Sequence, residues 1–147
     1  MEELLAELQR QGRLPEEERA AICRKELLAF FASDLAKRMQ KADEIHKEQP
    51  FAMLVEPKEV FLDDIYQNME EFIQINGIID CYFVEENAVV LVDYKSDRLW
   101  QEDAFREKYK IQLRLYKEAL ERVTDLPVKA CYIYAFAPGK TIPIDFD

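Results

Sequence analysis

The hydrophobic positions in the first third of the chain recur with the period of an α-helix. Leucines at this spacing predict a helix over Glu2–Gln11. Pro15 and the glutamates that follow it predict a second helix, because acidic residues suit the positive end of the helix dipole. Its apolar positions continue to about Lys41, with a break expected at Ser33-Asp34. The segment 2–41 is therefore predicted to be helical.

Beyond this segment the pattern becomes that of strands. The predicted elements are strands over Glu44–Val55, Val60-Phe61, Phe72–Val84 and Ala88–Lys95, a helix over Gln101–Arg122, and strands over Val128–Phe136 and Thr141–Phe146. Turns are expected at Glu86-Asn87, since asparagine tolerates a left-handed backbone, and at Pro138-Gly139-Lys140. This order predicts an α/β fold with a mixed β-sheet flanked by helices, in which residues 43–147 form the core.

Composition limits the chain to one domain and argues against a broad DNA-binding face. The 147 residues are 49% hydrophobic and 34% charged, which fits a single compact domain with a real core. The net charge of −10 disfavours strong DNA binding by this piece alone. It is compatible with cutting DNA, because a Mg²⁺ site needs carboxylates and another domain can supply the grip.

Three cysteines, Cys23, Cys81 and Cys131, are far apart in sequence and form no CxxC pair. This spacing favours reduced thiols and disfavours a zinc ribbon or an iron–sulfur cluster. The N-terminus lacks the features of a signal peptide, and apolar stretches such as Ala88–Val92 are far shorter than a membrane span. The sequence thus predicts a soluble, intracellular, cytoplasmic domain.

An aspartate interrupts each of two predicted neighbouring strands. Asp80 follows Gly77-Ile-Ile, and Asp93 is followed two residues later by Lys95, which shares its face of the strand. A hairpin that turns about Glu86-Asn87 places the two aspartates directly opposite each other, each six residues from the turn. Their Cβ atoms would then lie roughly 4.5–5.5 Å apart.

Two carboxylates this close repel each other, and a divalent cation removes that repulsion. A lysine beside the metal could hold a water molecule or a phosphate oxygen. The arrangement is typical of phosphodiester hydrolysis. The competing interpretation is that Asp93 and Lys95 form an ordinary surface ion pair, which is the usual meaning of such a pair alone. Asp80 favours the site, because a carboxylate in an apolar strand is costly unless it is paired or binds a metal.

The candidate residues fall in an order that resembles a known family. The motifs are Glu48-x-Pro50-Phe51, Gly77-Ile-Ile-Asp80, Asp93-Tyr94-Lys95-Ser96 and Tyr109-x-x-Gln112-Leu113-x-x-Tyr116. From about Leu4 to the end, the chain resembles the PD-(D/E)XK nuclease superfamily. Its RecB-like branch, and within it the C-terminal nuclease domains of the AddA family of helicase–nucleases, is the most similar. The resemblance implies a restriction-endonuclease-like core.

The resemblance also implies roles for individual residues. Asp80, Asp93 and the backbone carbonyl of Tyr94 would bind Mg²⁺ or Mn²⁺, and Glu48 matches a glutamate near the metal. Lys95 would be the catalytic lysine. Gln112 and Tyr116, which share a helix face, would border the site and touch DNA. A polar-edged packing stripe is the alternative for this pair, and a solvated face is the alternative to phosphate contacts for the basic residues Arg106, Lys108, Lys110, Arg114 and Lys117.

One family feature is missing from this sequence. RecB-like nucleases usually carry a metal-binding histidine on an upstream helix, whereas the single histidine here, His46, lies in a predicted strand and is interpreted as a surface residue. We therefore expect the chain to be a C-terminal fragment that begins after that histidine. Such a fragment should bind metal more weakly and cut poorly or not at all.

Three functional hypotheses follow from these observations. The first is a metal-dependent exonuclease domain that digests single-stranded DNA delivered by an ATP-driven helicase motor, with an AddB-like partner, in double-strand break repair; nothing in this chain resembles a P-loop. The second is a non-catalytic docking or DNA-guiding module that retains the fold. The third, a stand-alone nuclease with an iron–sulfur cluster, is disfavoured by the cysteine spacing.

Overall fold

A computed structural model describes residues 24–60, 64–98 and 101–146 of the chain. The helices are α1 (Arg24–Phe31), α2 (Asp34–Lys41), α3 (Pro57–Val60), α4 (Asp64–Gln67) and α5 (Glu102–Thr124), and the strands are β1 (Glu44–Val55), β2 (Ile73–Glu85), β3 (Ala88–Lys95), β4 (Val128–Ala135) and β5 (Lys140–Pro143). The predicted helices before residue 24, together with Phe61, lie outside these ranges.

The strands form one five-stranded mixed sheet in the order β1-β2-β3-β4-β5. The β1–β2, β2–β3 and β4–β5 pairs are antiparallel, whereas β3 and β4 run parallel. A parallel pair needs a long crossover connection, and α5 provides it. The mixed α/β sheet with flanking helices is confirmed.

The β2–β3 hairpin turns where the sequence predicted. Glu86 and Asn87 both have left-handed backbones, with φ of 53° and 60°, as the two central residues of a type I′ turn require. This turn fixes the register, in which Cys81 pairs with Val92 and Tyr82 with Leu91. The predicted register is confirmed for these pairs, and regular pairing ends one residue before Asp80 and Asp93.

Each face of the sheet is covered by different helices. On one face, α5 buries Phe105, Leu113 and Leu120 against alternate residues of the central strands, including Tyr82 and Leu91. On the other face, Leu27 and Phe30 of α1 and Leu35 of α2 pack against the residues in between, including Phe83 and Val92. The sheet is therefore buried on both sides at its centre, which explains the nearly continuous apolar run of β3.

The predicted break at Ser33-Asp34 is confirmed and has a local cause. Ser33 is the N-cap of α2: its Oγ accepts a hydrogen bond from the amide of Ala36 at 3.2 Å and donates one to the carbonyl of Phe30 at 2.5 Å. A serine in this position satisfies backbone groups at the end of one helix and the start of the next.

Two predictions of secondary structure were wrong, and one short helix was not predicted. Val60 lies in α3, because Pro57 begins a short helix there and not a strand. Helix α4 was not predicted, since its four residues are too few to show a period. The last strand ends at Pro143 instead of Phe146, because proline cannot donate to a ladder; one further bond, from the amide of Ile144 to Cys131, follows it at 2.9 Å.

Two of the cysteines are buried on opposite faces of the sheet. Cys81 packs with α1 and α2, and Cys131 packs under α5. Burial raises the pKa of the Cys131 thiol to about 12. Cys23 lies outside the described residues. In the described ranges, none of the helices is long and apolar enough to span a membrane.

Candidate metal centre and nuclease site

The regular alternation of β2 breaks at Asp80. Tyr82 faces α5 and Cys81 faces the opposite side, yet Ile79 also packs on the α5 side. The neighbouring strand is irregular at the same level, where Glu48 has a left-handed φ of 51° between the paired residues Lys47 and Gln49. A left-handed backbone is costly for a residue with a side chain. This combined irregularity lies at the point where the sequence places its first aspartate.

The side chain of Asp80 accepts a hydrogen bond from the backbone of β3 where a strand partner would otherwise accept it. Regular β2–β3 pairing ends at Cys81 and Val92, and the next amide on this edge, that of Tyr94, donates to Asp80 Oδ2 at 2.9 Å. The amide and carbonyl of one strand residue point to the same edge. The Tyr94 carbonyl is therefore directed toward Asp80, whereas the Lys95 carbonyl points the other way and accepts from Phe136 at 3.0 Å.

Asp93 is the buried charged residue of the core, with 3% of its surface exposed. Its Oδ2 lies 2.8 Å from Lys95 Nζ. The ion pair therefore brings the two opposite charges together inside the core.

Lys95 is held from a second direction by α5. Its Nζ donates to Gln112 Oε1 at 3.2 Å, and Gln112 Nε2 donates to the hydroxyl of Tyr116 at 3.0 Å. Burial lowers the pKa of Lys95, but the charge of Asp93 outweighs this effect and leaves the pKa raised. Lys95 is therefore a charged ammonium at neutral pH, in a site largely shielded from water.

The two aspartates are close enough to perturb each other. Burial and, after it, the charge of Asp93 raise the pKa of Asp80 to about 7, against the opposing hydrogen bond from Tyr94. Asp93 also lies within hydrogen-bonding reach of Asp80 when one of them is protonated. Two carboxylates that resist simultaneous ionisation are the electrostatic condition that a divalent cation relieves.

The donor set fits a hard divalent cation. The two carboxylates and the Tyr94 carbonyl converge from adjacent strands, and all are oxygen donors of the kind that Mg²⁺ binds. Within the described ranges, no group of three or more His, Cys, Asp or Glu side chains forms a complete cage. The protein would thus provide part of a coordination shell, as Mg²⁺ sites that retain waters do.

Sequence comparison identifies the family of this chain. The family model of the PD-(D/E)XK nuclease superfamily matches residues 1–142. The chain belongs to this superfamily. Its α/β sheet agrees with the restriction-endonuclease-like fold expected for such nucleases, and nucleases of this superfamily generally use divalent metal ions.

Several relatives share one description, the A subunit of an ATP-dependent helicase/nuclease. The protein from Clostridium novyi is 43% identical over 123 residues, which cover 80% of this chain and 10% of the relative. The Clostridium botulinum Loch Maree protein is 41% identical, covering 81% of the chain and 9% of the relative. The Thermoanaerobacter X514 protein is 37% identical, covering 88% and 11%. The chain thus spans about a tenth of the length of these relatives.

The structure also locates the remaining candidate residues of this PD-(D/E)XK chain. Glu48 lies in β1 at the level of Asp80, half-buried, and its assignment as a metal ligand stays a prediction. His46 stacks on Tyr82, with ring centroids 4.6 Å apart, and its Nε2 lies 3.1 Å from Glu44 Oε2. Three basic residues of α5, Arg106, Lys108 and Lys117, form ion pairs with acidic neighbours.

Two features beside the site were not predicted. Gly77 lies under an aromatic pair: a Cβ atom there would lie 2.7 Å from Phe51 Cε1 and 3.4 Å from Tyr116 Cε1. Asp97 accepts hydrogen bonds from Tyr109 and Lys108 at the start of the site-facing side of α5. A glycine directly before an apolar pair and an aspartate just after the Asp93-Tyr94-Lys95 motif were the available signals.

Proposed function

We propose that this chain is the metal-dependent DNA exonuclease domain of an AddA-type helicase–nuclease. In this proposal it hydrolyses phosphodiester bonds of single-stranded DNA delivered by an ATP-driven motor elsewhere in the protein. It would act with an AddB-like partner in double-strand break repair by homologous recombination, in the bacterial cytoplasm. The observation that carries the proposal is the convergence of Asp80, Asp93 and Lys95 on the α5 side of the sheet.

Four groups would hold the metal, either Mg²⁺ or Mn²⁺. These are the carboxylates of Asp80 and Asp93, the carbonyl of Tyr94 and, as a more distant contributor, Glu48. When bound, the ion would supply a water molecule of lowered pKa and positive charge opposite the phosphate. It would also offset the burial and the repulsion from Asp93 that raise the pKa of Asp80.

Lys95 would act on the substrate as a fixed positive charge. An ammonium directed at a non-bridging phosphate oxygen stabilises the charge that develops there during hydrolysis. Its contacts with Asp93 and Gln112 orient Nζ before the substrate arrives. Because only 17% of its side chain is exposed, its charge acts in a medium that screens it less than bulk water does.

Gln112 and Tyr116 would form the border between the charged site and the DNA strand. The Tyr116 hydroxyl accepts from Gln112, so its own proton remains available for a phosphate oxygen. Gln112 accepts from Lys95 through its carbonyl oxygen. The pair therefore couples the orientation of the lysine to a hydroxyl that could contact the backbone of the substrate.

A non-catalytic docking or DNA-guiding module is the second candidate function. The net charge of −10 favours it, as does the absence of a complete three-residue metal cage from the described residues. The ion pair between Asp93 and Lys95 would then be a purely structural element of the core.

Metal titration followed by digestion of single-stranded DNA separates the two functions. We expect Mg²⁺- or Mn²⁺-dependent release of nucleotides, and a loss of at least about 100-fold with Asp80→Ala or Lys95→Ala, in keeping with the removal of a group that stabilises transition-state charge. Asp103→Ala and Lys129→Ala are matched controls, because they remove an acid and an amine outside the site.

Two results would decide against an exonuclease at this site, and a third would invalidate the comparison of variants. The absence of cutting by the natural full-length protein, with metal shown to bind, would favour the docking module. Cutting that survives Asp80→Ala and Lys95→Ala would place hydrolysis elsewhere or in a contaminant. Loss of cutting in the control variants would point to damage to the fold.

A further inference from the structure

A small cluster beyond the end of β3 fastens the following segment to α5. The Tyr109 hydroxyl lies 2.9 Å from Asp97 Oδ2 and donates to that carboxylate, and Lys108 Nζ donates to the same oxygen at 3.1 Å. Asp97 is only two residues beyond Lys95, whereas Tyr109 lies about two turns into α5. The cluster therefore joins the segment that follows β3 to α5 through side chains.

The ring of Tyr109 lies against the ammonium of Lys95. Nζ is 4.2 Å from the ring centroid, well within the range of a cation–π contact. The ring also packs on Phe105, whose centroid is 5.1 Å away in an edge-on arrangement. The ring is thus fixed by this packing and by the hydrogen bond from its hydroxyl to Asp97.

We propose that Tyr109, anchored by Asp97, is a positioning residue that holds the Lys95 ammonium over the metal-binding side of the site. The expected effect on kcat rests on the proposed nuclease function. Asp93 contacts Nζ from β3, whereas Gln112 and the Tyr109 ring contact it from α5. Without the ring, the four-carbon stem of Lys95 regains rotamers in which Nζ leaves the phosphate position.

The chemistry of the cluster accounts for the choice of tyrosine. A phenylalanine would provide the aromatic face but would lose the hydroxyl that ties the ring to Asp97. A leucine would fill part of the space but would provide no negative ring face for an ammonium. The two substitutions therefore separate the contribution of the ring from that of its anchor.

Steady-state digestion of single-stranded DNA by the natural full-length protein measures the kinetic consequence. For Tyr109→Leu we expect kcat to fall about 5- to 30-fold with KM nearly unchanged, the range that corresponds to a partly desolvated cation–π contact. Tyr109→Phe and Asp97→Asn should each lower kcat by only about 2- to 5-fold. Their double variant should be no worse than either alone, because both break the same link.

A matched control exists on the opposite face of the sheet. Tyr132 accepts a hydrogen bond from Arg38 at 3.1 Å, and the Arg38 guanidinium lies 5.5 Å from its ring centroid. Tyr132→Leu therefore deletes an equivalent cation–π contact away from the site, and it should leave kcat unchanged at a comparable loss of thermal stability. An equal fall of kcat in Tyr109→Leu and Tyr132→Leu would reduce Tyr109 to a packing residue and overturn the proposal.

A second measurement does not depend on nuclease activity. Trace labelling of the metal-free protein with an amine-reactive reagent, read by peptide mass spectrometry, compares Lys95 with Lys129 as internal reference. Tyr109→Leu should raise the relative labelling of Lys95 at least about threefold, and Tyr109→Phe much less. Unchanged labelling would overturn the positioning role even in an active enzyme. Raised labelling in a protein that never cuts DNA would support the contact and reject the nuclease function alone.

Discussion

The backbone amide of Tyr94 donates to Oδ2 of Asp80 at 2.9 Å. A side chain thus takes the position that a strand partner occupies in the rest of the β2–β3 ladder. This hydrogen bond connects the end of β3 to β2 while the carboxylate remains beside Asp93. It also explains why an acid is tolerated in an apolar strand, since the backbone provides one of the hydrogen bonds that a buried carboxylate requires.

The raised pKa of Asp80 predicts how the metal-free protein responds to pH. The folded chain keeps a proton on Asp80 up to about pH 7, whereas the unfolded chain releases it near 3.8. The free energy of unfolding should therefore decrease as the pH rises from about 4 to about 7, by at most roughly 1.4 kcal/mol per pH unit. Asp80→Asn keeps an acceptor for Tyr94 and should remove this slope.

Urea unfolding in EDTA at a series of pH values measures this effect. Asp103→Asn, an exposed acid near the start of α5, is the control and should retain the slope. If Asp80→Asn unfolds with the same pH dependence as the parent chain, Asp80 is already ionised in the folded state.

Removing the charge of Lys95 should destabilise the metal-free protein. Lys95→Met preserves much of the side-chain volume but leaves the buried Asp93 without its cation, which costs about 3 kcal/mol or more. Saturating Mn²⁺ should recover part of this loss, because the ion supplies the missing positive charge. Thermal unfolding with and without Mn²⁺ tests the expectation. A loss below about 1 kcal/mol in EDTA would mean that the ion pair between Lys95 and Asp93 does not stabilise the fold.

The left-handed backbone of Glu48 sets function against stability. Glu48→Gly relieves that strain and should stabilise the metal-free fold by roughly 0.5–1 kcal/mol. If Glu48 supports the metal, the same change should weaken Mn²⁺ binding severalfold, as calorimetry would show. Asp125→Gly is the control, since Asp125 is also left-handed, with φ of 54°, but caps α5 far from the site. Metal affinity unchanged in both variants would remove Glu48 from the ligand set.

Gly77 should be intolerant of even one methyl group. Gly77→Ala places Cβ against the ring of Phe51, which packs on Tyr116 with centroids 5.3 Å apart. We expect a loss of about 1–3 kcal/mol in stability and a reduced kcat, because Tyr116 is displaced. Adding Phe51→Leu should recover most of the stability lost by Gly77→Ala. No recovery in the double variant would show that the strain lies in the backbone and not in the ring contact.

The sequence was most informative where local chemistry decides the structure. The turn at Glu86-Asn87 is local, and it alone determines the register that brings Asp80 and Asp93 together. The break between α1 and α2 is equally local, since Ser33 caps it. Period and turn chemistry therefore predicted the main strands and the proximity of the two aspartates.

Features that depend on tertiary contacts were beyond such patterns. The hydrogen bond between Asp97 and Tyr109 joins two segments that no sequence pattern pairs. The left-handed backbone of Glu48 has no signature in an ordinary strand sequence. The aromatic contact that explains Gly77 depends on the register between β1 and β2 together with the docking of α5. These features are decided by how distant segments of the chain pack together.

The parallel pairing of β3 with β4 bears on the kinetics of folding. The β2–β3 hairpin closes through a two-residue turn, whereas β3 and β4 can meet only after all of α5 has been placed between them. Local contacts form earlier than contacts that close long loops. We expect both aspartates to meet in an early hairpin, before the helix that carries Gln112 and Tyr116 docks, so added cation should speed refolding of the native chain.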